Sequence, residues 1–194
     1  MEPRISHGCA GGHQTEKPTQ ILSDEHRVIE RVLGAVEKLA AGPVGALEPW
    51  KKALDFIRNF ADQCHHVKEE KVLFPALEAH GIPVEEGPVG MMLMEHEEGR
   101  SYVRSMLAAI SLIEAGNEAA KESLCSSAQA YCRLLRDHIQ KEDEVLFRMA
   151  DEVISAEEQK KVSAAFAQHE VEESGAGVHE KYLKIAAELE RATE

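Results

Sequence analysis

The sequence predicts an all-α protein: an antiparallel, up-down-up-down four-helix bundle with one or two additional C-terminal helices. Three observations predict it. Apolar residues recur every three to four positions, the helical period, in four long runs between about residues 20 and 152. Clusters of Gly, Pro and Asn end those runs and leave only short joins, which makes consecutive helices antiparallel neighbours. Aromatic residues are 5% of the chain and the charged positions are mostly Glu, Lys and Arg, a bias toward helix over sheet. At 194 residues the chain is long enough for one well-buried core, so one domain is expected.

Residues 1–19, MEPRISHGCAGGHQTEKPT, hold little apolar content and several Gly and Pro, and are expected to form a flexible N-terminal tail. His7, Cys9 and His13 there could catch a metal ion, with a bland arm as the simpler expectation. The bundle is expected over 20–152. Its first helix carries Leu22, His26, Ile29, Leu33, Val36 and Ala40 on one stripe, with Ser23 or Asp24 as cap and Gly42-Pro43 as stop. The second runs from about 47 to 79 and ends at His80-Gly81-Ile82-Pro83. Pro75 inside it should free a backbone carbonyl one turn back and bend the helix. The third, from about 86 to 115, aligns Met92, His96, Gly99, Val103, Met106, Ile110 and Ile113 before Gly116-Asn117. The fourth, from about 118 to 152, aligns Leu124, Ala128, Tyr131, Leu135, His138, Glu142, Val145 and Met149. Residues 153–194 form a helical extension, interrupted near Gly175 to Gly177 and packed on the bundle.

A net charge of −13 and a pI near 5.2 exclude an extended basic patch, and with it a nucleic-acid partner or an anionic membrane surface. The four cysteines, Cys9, Cys64, Cys125 and Cys132, contain no Cys-x-x-Cys pair, and the N-terminus lacks the basic-then-apolar layout of a secretory signal. No apolar run approaches the ~18 to 20 residues of a membrane span. A cytoplasmic location is expected.

The two halves of the bundle repeat each other. DEHRVIERVL in the first helix is matched by MEHEEGRSYV in the third, and HHVKEEKVLF in the second by HIQKEDEVLF in the fourth. His26 and His66 are 40 residues apart, His96 and His138 are 42. At about 1.5 Å per residue, the path from His26 up the first helix is ~22 Å and down the second to His66 is ~28 Å; the corresponding legs of the second half are ~30 Å each. The four imidazoles therefore arrive at one height on inward faces. Residues four apart share a helix face, so His66 with Glu70 and His138 with Glu142 each offer a nitrogen and an oxygen to that height. Burying two carboxylates unpartnered is strongly unfavourable, and metal cations would remove the penalty. Imidazole plus carboxylate without thiolate suits iron or manganese, and zinc less specifically. Two carboxylates able to bridge favour a pair of ions, commonly ~3.5 to 4 Å apart. His65 with Glu69 has the same spacing as His66 with Glu70; Leu73 and Leu77 continue the stripe of the latter pair, but a shift of one residue reverses the choice.

The segments SDEHRVIERVL, CHHVKEEKVLFPAL, LMEHEEGR and RDHIQKEDEVLFRMA together resemble the hemerythrin-like, or HHE cation-binding, family of non-haem di-iron four-helix bundles over about 20–152. The resemblance implies His26, His66, His96 and His138 as metal ligands and Glu70 and Glu142 as bridging carboxylates. It implies two iron ions joined by an oxo or hydroxo bridge, with manganese or zinc able to share the ligands. Oxygen carriers of this family have a fifth histidine in the third helix, where this chain has Arg100 four residues after His96 and Met92 four before. Their terminal His-x-x-x-x-Asp pattern is met in spacing by His138 and Asp143. The chain looks more like the family's iron-centre repair proteins and iron or oxygen sensors than like its carriers.

Other groups have plainer expectations. Glu95, Glu97, Glu98 and Asp137 flank ligands and either orient imidazoles or are solvated. Tyr102, Tyr131 and Tyr182 pack in the core or serve as proton or electron donors. His169, Glu173, His179 and Glu180 form an acidic, histidine-bearing cluster whose default is a solvated face, with a second metal site or a lid contact as the alternative. HEKYL and HEEGR lack the second histidine of a zinc protease. The functional expectation is a di-iron site for dioxygen, nitric oxide or hydrogen peroxide, served in turnover by a protein electron donor. The rival is a sensor or iron-donor module without turnover. A ferritin-like oxidase is disfavoured, because those bundles use Glu-x-x-His with the carboxylate first.

Overall fold

A computed structural model describes residues 16–171 and 178–193, the side chains of 178 and 179 excepted. His7, Cys9, His13, Glu173 and the His179 side chain therefore lie outside the described residues. Four long helices form the bundle: α1 (Pro18–Ala41), α2 (48–79), α3 (Gly87–Glu114) and α4 (120–153), followed by α5 (Ala156–His169) and α6 (Val178–Ala192). The stops after α2 and α3 each rest on a glycine in the left-handed region. After α2, Gly81 (φ 87) lets its own N–H bond Glu78 O and that of Ile82 reach Leu77 O; after α3, Gly116 (φ 90) does the same for Ile113 and Leu112. Ser155 and Glu158 close the start of α5 with a reciprocal capping box.

Three stretches of α2 and α4 depart from ordinary α-helix in a way the sequence period does not announce. Residues Ile57–His66 and Glu69–Leu73 of α2, and Glu142–Leu146 of α4, are π-helical, with hydrogen bonds reaching five residues back. Phe74 N–H bonds Glu69 O, and Phe147 N–H bonds Glu142 O. Pro75, which has no N–H to give, stands just beyond the second widened stretch of α2.

The core is layered. One apolar cluster contains Ile29, Leu33, Trp50, Phe56, Phe60 and Leu135; the other contains Leu22, Leu73, Phe74, Val89, Leu146 and Phe147. Between them lies a buried polar layer on α1 to α4. The extension is not merely superficial: α6 sets Tyr182, Ala186 and Leu189 into the first cluster, and α5 sets Val162 and Phe166 into the second. Among the described residues no helix is long and apolar enough to cross a membrane.

Candidate metal centre

The polar layer contains five imidazoles and two carboxylates in two overlapping groups. His66, Glu69, His96 and His138 form one; His26, His65, Glu69 and Glu142 form the other, with candidate ligand atoms inside each group within 4.8 Å of one another. Every one of these side chains is buried, and Glu69, Glu142 and His26 are wholly so. Glu69 belongs to both groups: its Oε1 is 3.6 Å from His65 Nε2 and its Oε2 is 3.5 Å from His96 Nε2. Glu142 Oε2 lies 3.2 Å from His26 Nε2 and 3.3 Å from His138 Nε2, also between the groups.

Of the sequence-predicted set, His26, His66, His96, His138 and Glu142 are gathered here, and Glu70 is not. Glu69 takes the inward place expected of Glu70, and His65 joins His66 rather than competing with it. The widened turn is the reason. In an α-helix successive side chains are about 100° apart, so one of two neighbouring histidines must turn away. A π-helical turn holds more residues, the angle between neighbours shrinks, and both rings face inward. The repeat could have signalled this: aligning the two Val-Leu-Phe triplets puts Glu69, not Glu70, opposite Glu142, and His65 opposite His138.

Four of the five rings are fixed from behind by a carboxylate. Nδ1 of His26 lies 2.9 Å from Asp143, that of His65 2.9 Å from Glu25, that of His96 2.8 Å from Glu70 and that of His138 3.0 Å from Glu95. His66 Nδ1 is 3.5 Å from Asp62. An ionised carboxylate can only accept, so Nδ1 of these four rings carries a proton and the ring turns Nε2 toward the interior. Behind the carboxylates stand cations: Arg27 on Asp143, Lys68 on Glu25, Lys141 on Glu95, and Arg100 on both Asp62 and Glu70. Phe147 stacks on His26 and Phe74 on His96, which accounts for the Leu-Phe ending of both repeats. Glu95 thus orients a ring, whereas Glu97, Glu98 and Asp137 are exposed. Glu25, Asp62 and Lys68 escaped the sequence reading; their signal was that Glu25 precedes His26 as Glu95 precedes His96, and that Lys68 matches Lys141.

The electrostatics without cations are strained. Burial is the largest influence on His26 and lowers its pKa, but the hydrogen bond to Asp143 and the nearby Glu142 carboxylate outweigh it and raise it to about 9. Burial pushes His65 and His96 well below the usual imidazole value, helped by neighbouring imidazoles. Glu69 is driven well upward by burial and by the charge of Glu142. Burial also opposes ionisation of Glu142, yet His138 and His26 hold it down to about 2. Both oxygens of Glu69 and of Glu142, Nε2 of His26 and both ring nitrogens of His66 are buried without a hydrogen-bond partner. Orphaned donors and acceptors converging on one interior point, rather than scattered, fit cations that would satisfy them together.

The family of hemerythrin HHE cation-binding domains matches residues 17–150. The chain belongs to that family. This HHE domain is also 26% identical over 175 residues to uncharacterised proteins of Mycobacterium bovis and of Mycobacterium tuberculosis strains CDC 1551 and H37Rv, covering 88% of this chain and 68% of each relative. No solved structure matches it.

Other predicted features stay outside the centre of the HHE domain. A third group, Glu25, Cys64 and Glu170, surrounds the Lys68 ammonium, which already supplies the positive charge; burial pushes the Cys64 thiol up to about 12. Tyr182 packs on Phe56 and Phe60, and Tyr102 donates to Glu98. Glu180 is exposed, and His169, whose Nε2 is buried without a partner, joins no metal-ligating group among the described residues.

Proposed function

We propose that this HHE domain holds two iron ions, one by His26 and His65 and the other by His66, His96 and His138, with Glu69 and Glu142 spanning both, and that the pair binds or reacts with dioxygen, nitric oxide or hydrogen peroxide. The observation that carries the reading is Glu69: one wholly buried carboxylate whose two oxygens diverge toward two separate imidazole groups. The nitrogen and oxygen donor set, without thiolate, suits iron and manganese. When bound, the ions would supply electrons by moving between ferrous and ferric states. The chain's residues do the rest. Four carboxylates hold the rings of His26, His65, His96 and His138, lysines and arginines hold those carboxylates, and two apolar layers flank the centre.

Elemental analysis of protein purified without added metal tests the first part, with two irons per chain expected; one ion or none defeats the paired reading. Exposing the reduced protein to peroxide and to nitric oxide while recording absorption tests the second, with repeated turnover expected from an enzyme.

One contact favours a sensing role as the second reading. Glu25, which holds His65, bonds Lys68, and Lys68 bonds Glu170 just past the end of α5 at 2.7 Å. Through this chain the centre touches the C-terminal extension, so occupancy could alter that segment without turnover. Protection of α5 from amide exchange that rises with metal loading, in the absence of multiple turnover, would select it.

A further inference from the structure

A cavity of about 300 Å³ opens between α2 and α3 on the His66 side of the centre. Its floor is the His66 and His96 rings, stacked with centroids 3.9 Å apart, and Ile57, Val103 and Leu107 give it apolar walls. At ~30 Å³ for each water-sized group, the space admits roughly ten non-hydrogen atoms, far more than a diatomic or peroxide needs. Size therefore points to an organic molecule.

Charge points to its sign. The chain as a whole carries −13, yet this cavity is lined by three guanidinium groups, Arg58, Arg100 and Arg104, against one carboxylate, Asp62. Arg100 is already held by Asp62 and Glu70. Arg104 meets only the exposed Glu97. Arg58 is exposed and makes no ion pair with a described residue. The Arg58 guanidinium, without an ion-pair partner among the described residues, attracts an anion to the mouth, and a guanidinium fork matches a carboxylate with two parallel bonds.

We propose that the cavity binds a small organic monoanion, an aliphatic carboxylate of about six to eight carbons by the same volume arithmetic. Its head sits on Arg58 and Arg104, its chain lies along Ile57, Val103 and Leu107, and its tail rests on the His66 and His96 rings. The site rests on the metal reading only for what the tail meets, since the walls and the mouth are protein alone.

Octanoate titrated into the full-length, metal-loaded protein by calorimetry tests this, with 1-octanol as the uncharged probe of similar length. Saturable binding of one octanoate per chain is expected, with octanol weaker by about tenfold or more, the worth of a charged hydrogen bond. Arg58→Ala, at an exposed position that leaves the fold intact, should weaken octanoate by a similar factor. Val103→Trp should abolish binding with metal content unchanged. Absence of saturable binding, equal affinity for octanol, or undiminished binding in Arg58→Ala overturns the proposal. Metal content measured on the same samples separates the two readings: octanoate bound by metal-free protein leaves the cavity standing and defeats the centre, while two irons without octanoate binding does the opposite.

Discussion

The two halves of the bundle are wired alike and differ in one imidazole. Glu25, His65 and Lys68 in the first half correspond to Glu95, His138 and Lys141 in the second, each a carboxylate joining an imidazole to a lysine. Glu70 and Phe74 cross over to hold His96 just as Asp143 and Phe147 cross over to hold His26. The exception is His66, whose counterpart is Ile139, a residue of the apolar core. The widened turn extends back through His66 in α2 but begins only at Glu142 in α4. Backbone geometry, rather than residue type alone, thus decides that one half gives two inward rings from adjacent positions. The half-site with the additional ring is also the one that faces the arginine-rimmed cavity.

The largest expected effect comes from removing what the halves share. Glu69→Gln or Glu142→Gln takes from both ions one of their two spanning carboxylates, and metal content should fall from two per chain to one or fewer. The metal-free form of Glu69→Gln should be more stable than the metal-free parent by about 1 kcal/mol or more, because burial and Glu142 force Glu69 to take up a proton on folding and Gln carries no such cost. Thermal melts with and without metal read both signs. A variant that retains two ions removes Glu69 from its central place.

Making the halves equal tests the exception. His66→Ile copies the second half into the first, and should leave the His26 and His65 ion in place while the other weakens by about a hundredfold, the upper end of what loss of a supporting group costs. Ile139→His is the converse. Within ordinary α-helix its ring enters the apolar layer instead of the centre, so a loss of about 1 to 3 kcal/mol and no third ion are expected. Gain of metal affinity there would show that residue type suffices.

A smaller effect separates Glu70 from Glu69. Glu70→Gln and Asp143→Asn each remove a carboxylate behind a ring rather than a bridging group, so both should keep two ions and lose about 10- to 100-fold in affinity for one of them. Competition with a chelator measures this, and loss of both ions in Glu70→Gln would restore it to the bridge.

The fold was legible because its determinants are periodic and local: four apolar stripes, Gly81 and Gly116 at stops, and a repeat whose histidines fall at one height. The choice between Glu69 and Glu70 was not, because a 3.6-residue period was imposed on a stretch that hydrogen-bonds to i−5, and an error of one residue there moves a carboxylate from the centre to Arg100. The supporting layer was legible only in part. Glu95 was named because it flanks His96, though the ring it holds is His138 on another helix; the same adjacency of Glu25 to His26 and the four-residue step from Asp62 to His66 went unread, and nothing in an α-helical wheel puts Lys68 in the interior.

Titration offers the finest distinction between the halves. His26 and His96 are counterparts, but without metal the first is raised to about 9 by Asp143 and Glu142 against the pull of burial, while the second is pushed well below 6.5 by burial, by the His66 and His138 rings and by Arg100. A ligand nitrogen must be unprotonated, so at neutral pH His26 has to release a proton before it can bind, and His96 does not. Raised pKa values oppose uptake below themselves: affinity at the His26 and His65 group should climb about tenfold per pH unit for that proton and level off above about 9. Glu69, also raised, adds a proton that both groups share, and Glu142, at about 2, adds none across this range. Of two metal-binding steps followed from pH 6 to 10, one should therefore be steeper by one proton. Asp143→Asn, which removes the carboxylate holding His26 high, should flatten that step toward the other. Equal slopes in the parent would mean that His26 and His96 are electrostatically equivalent despite the second carboxylate, Glu142, that faces His26.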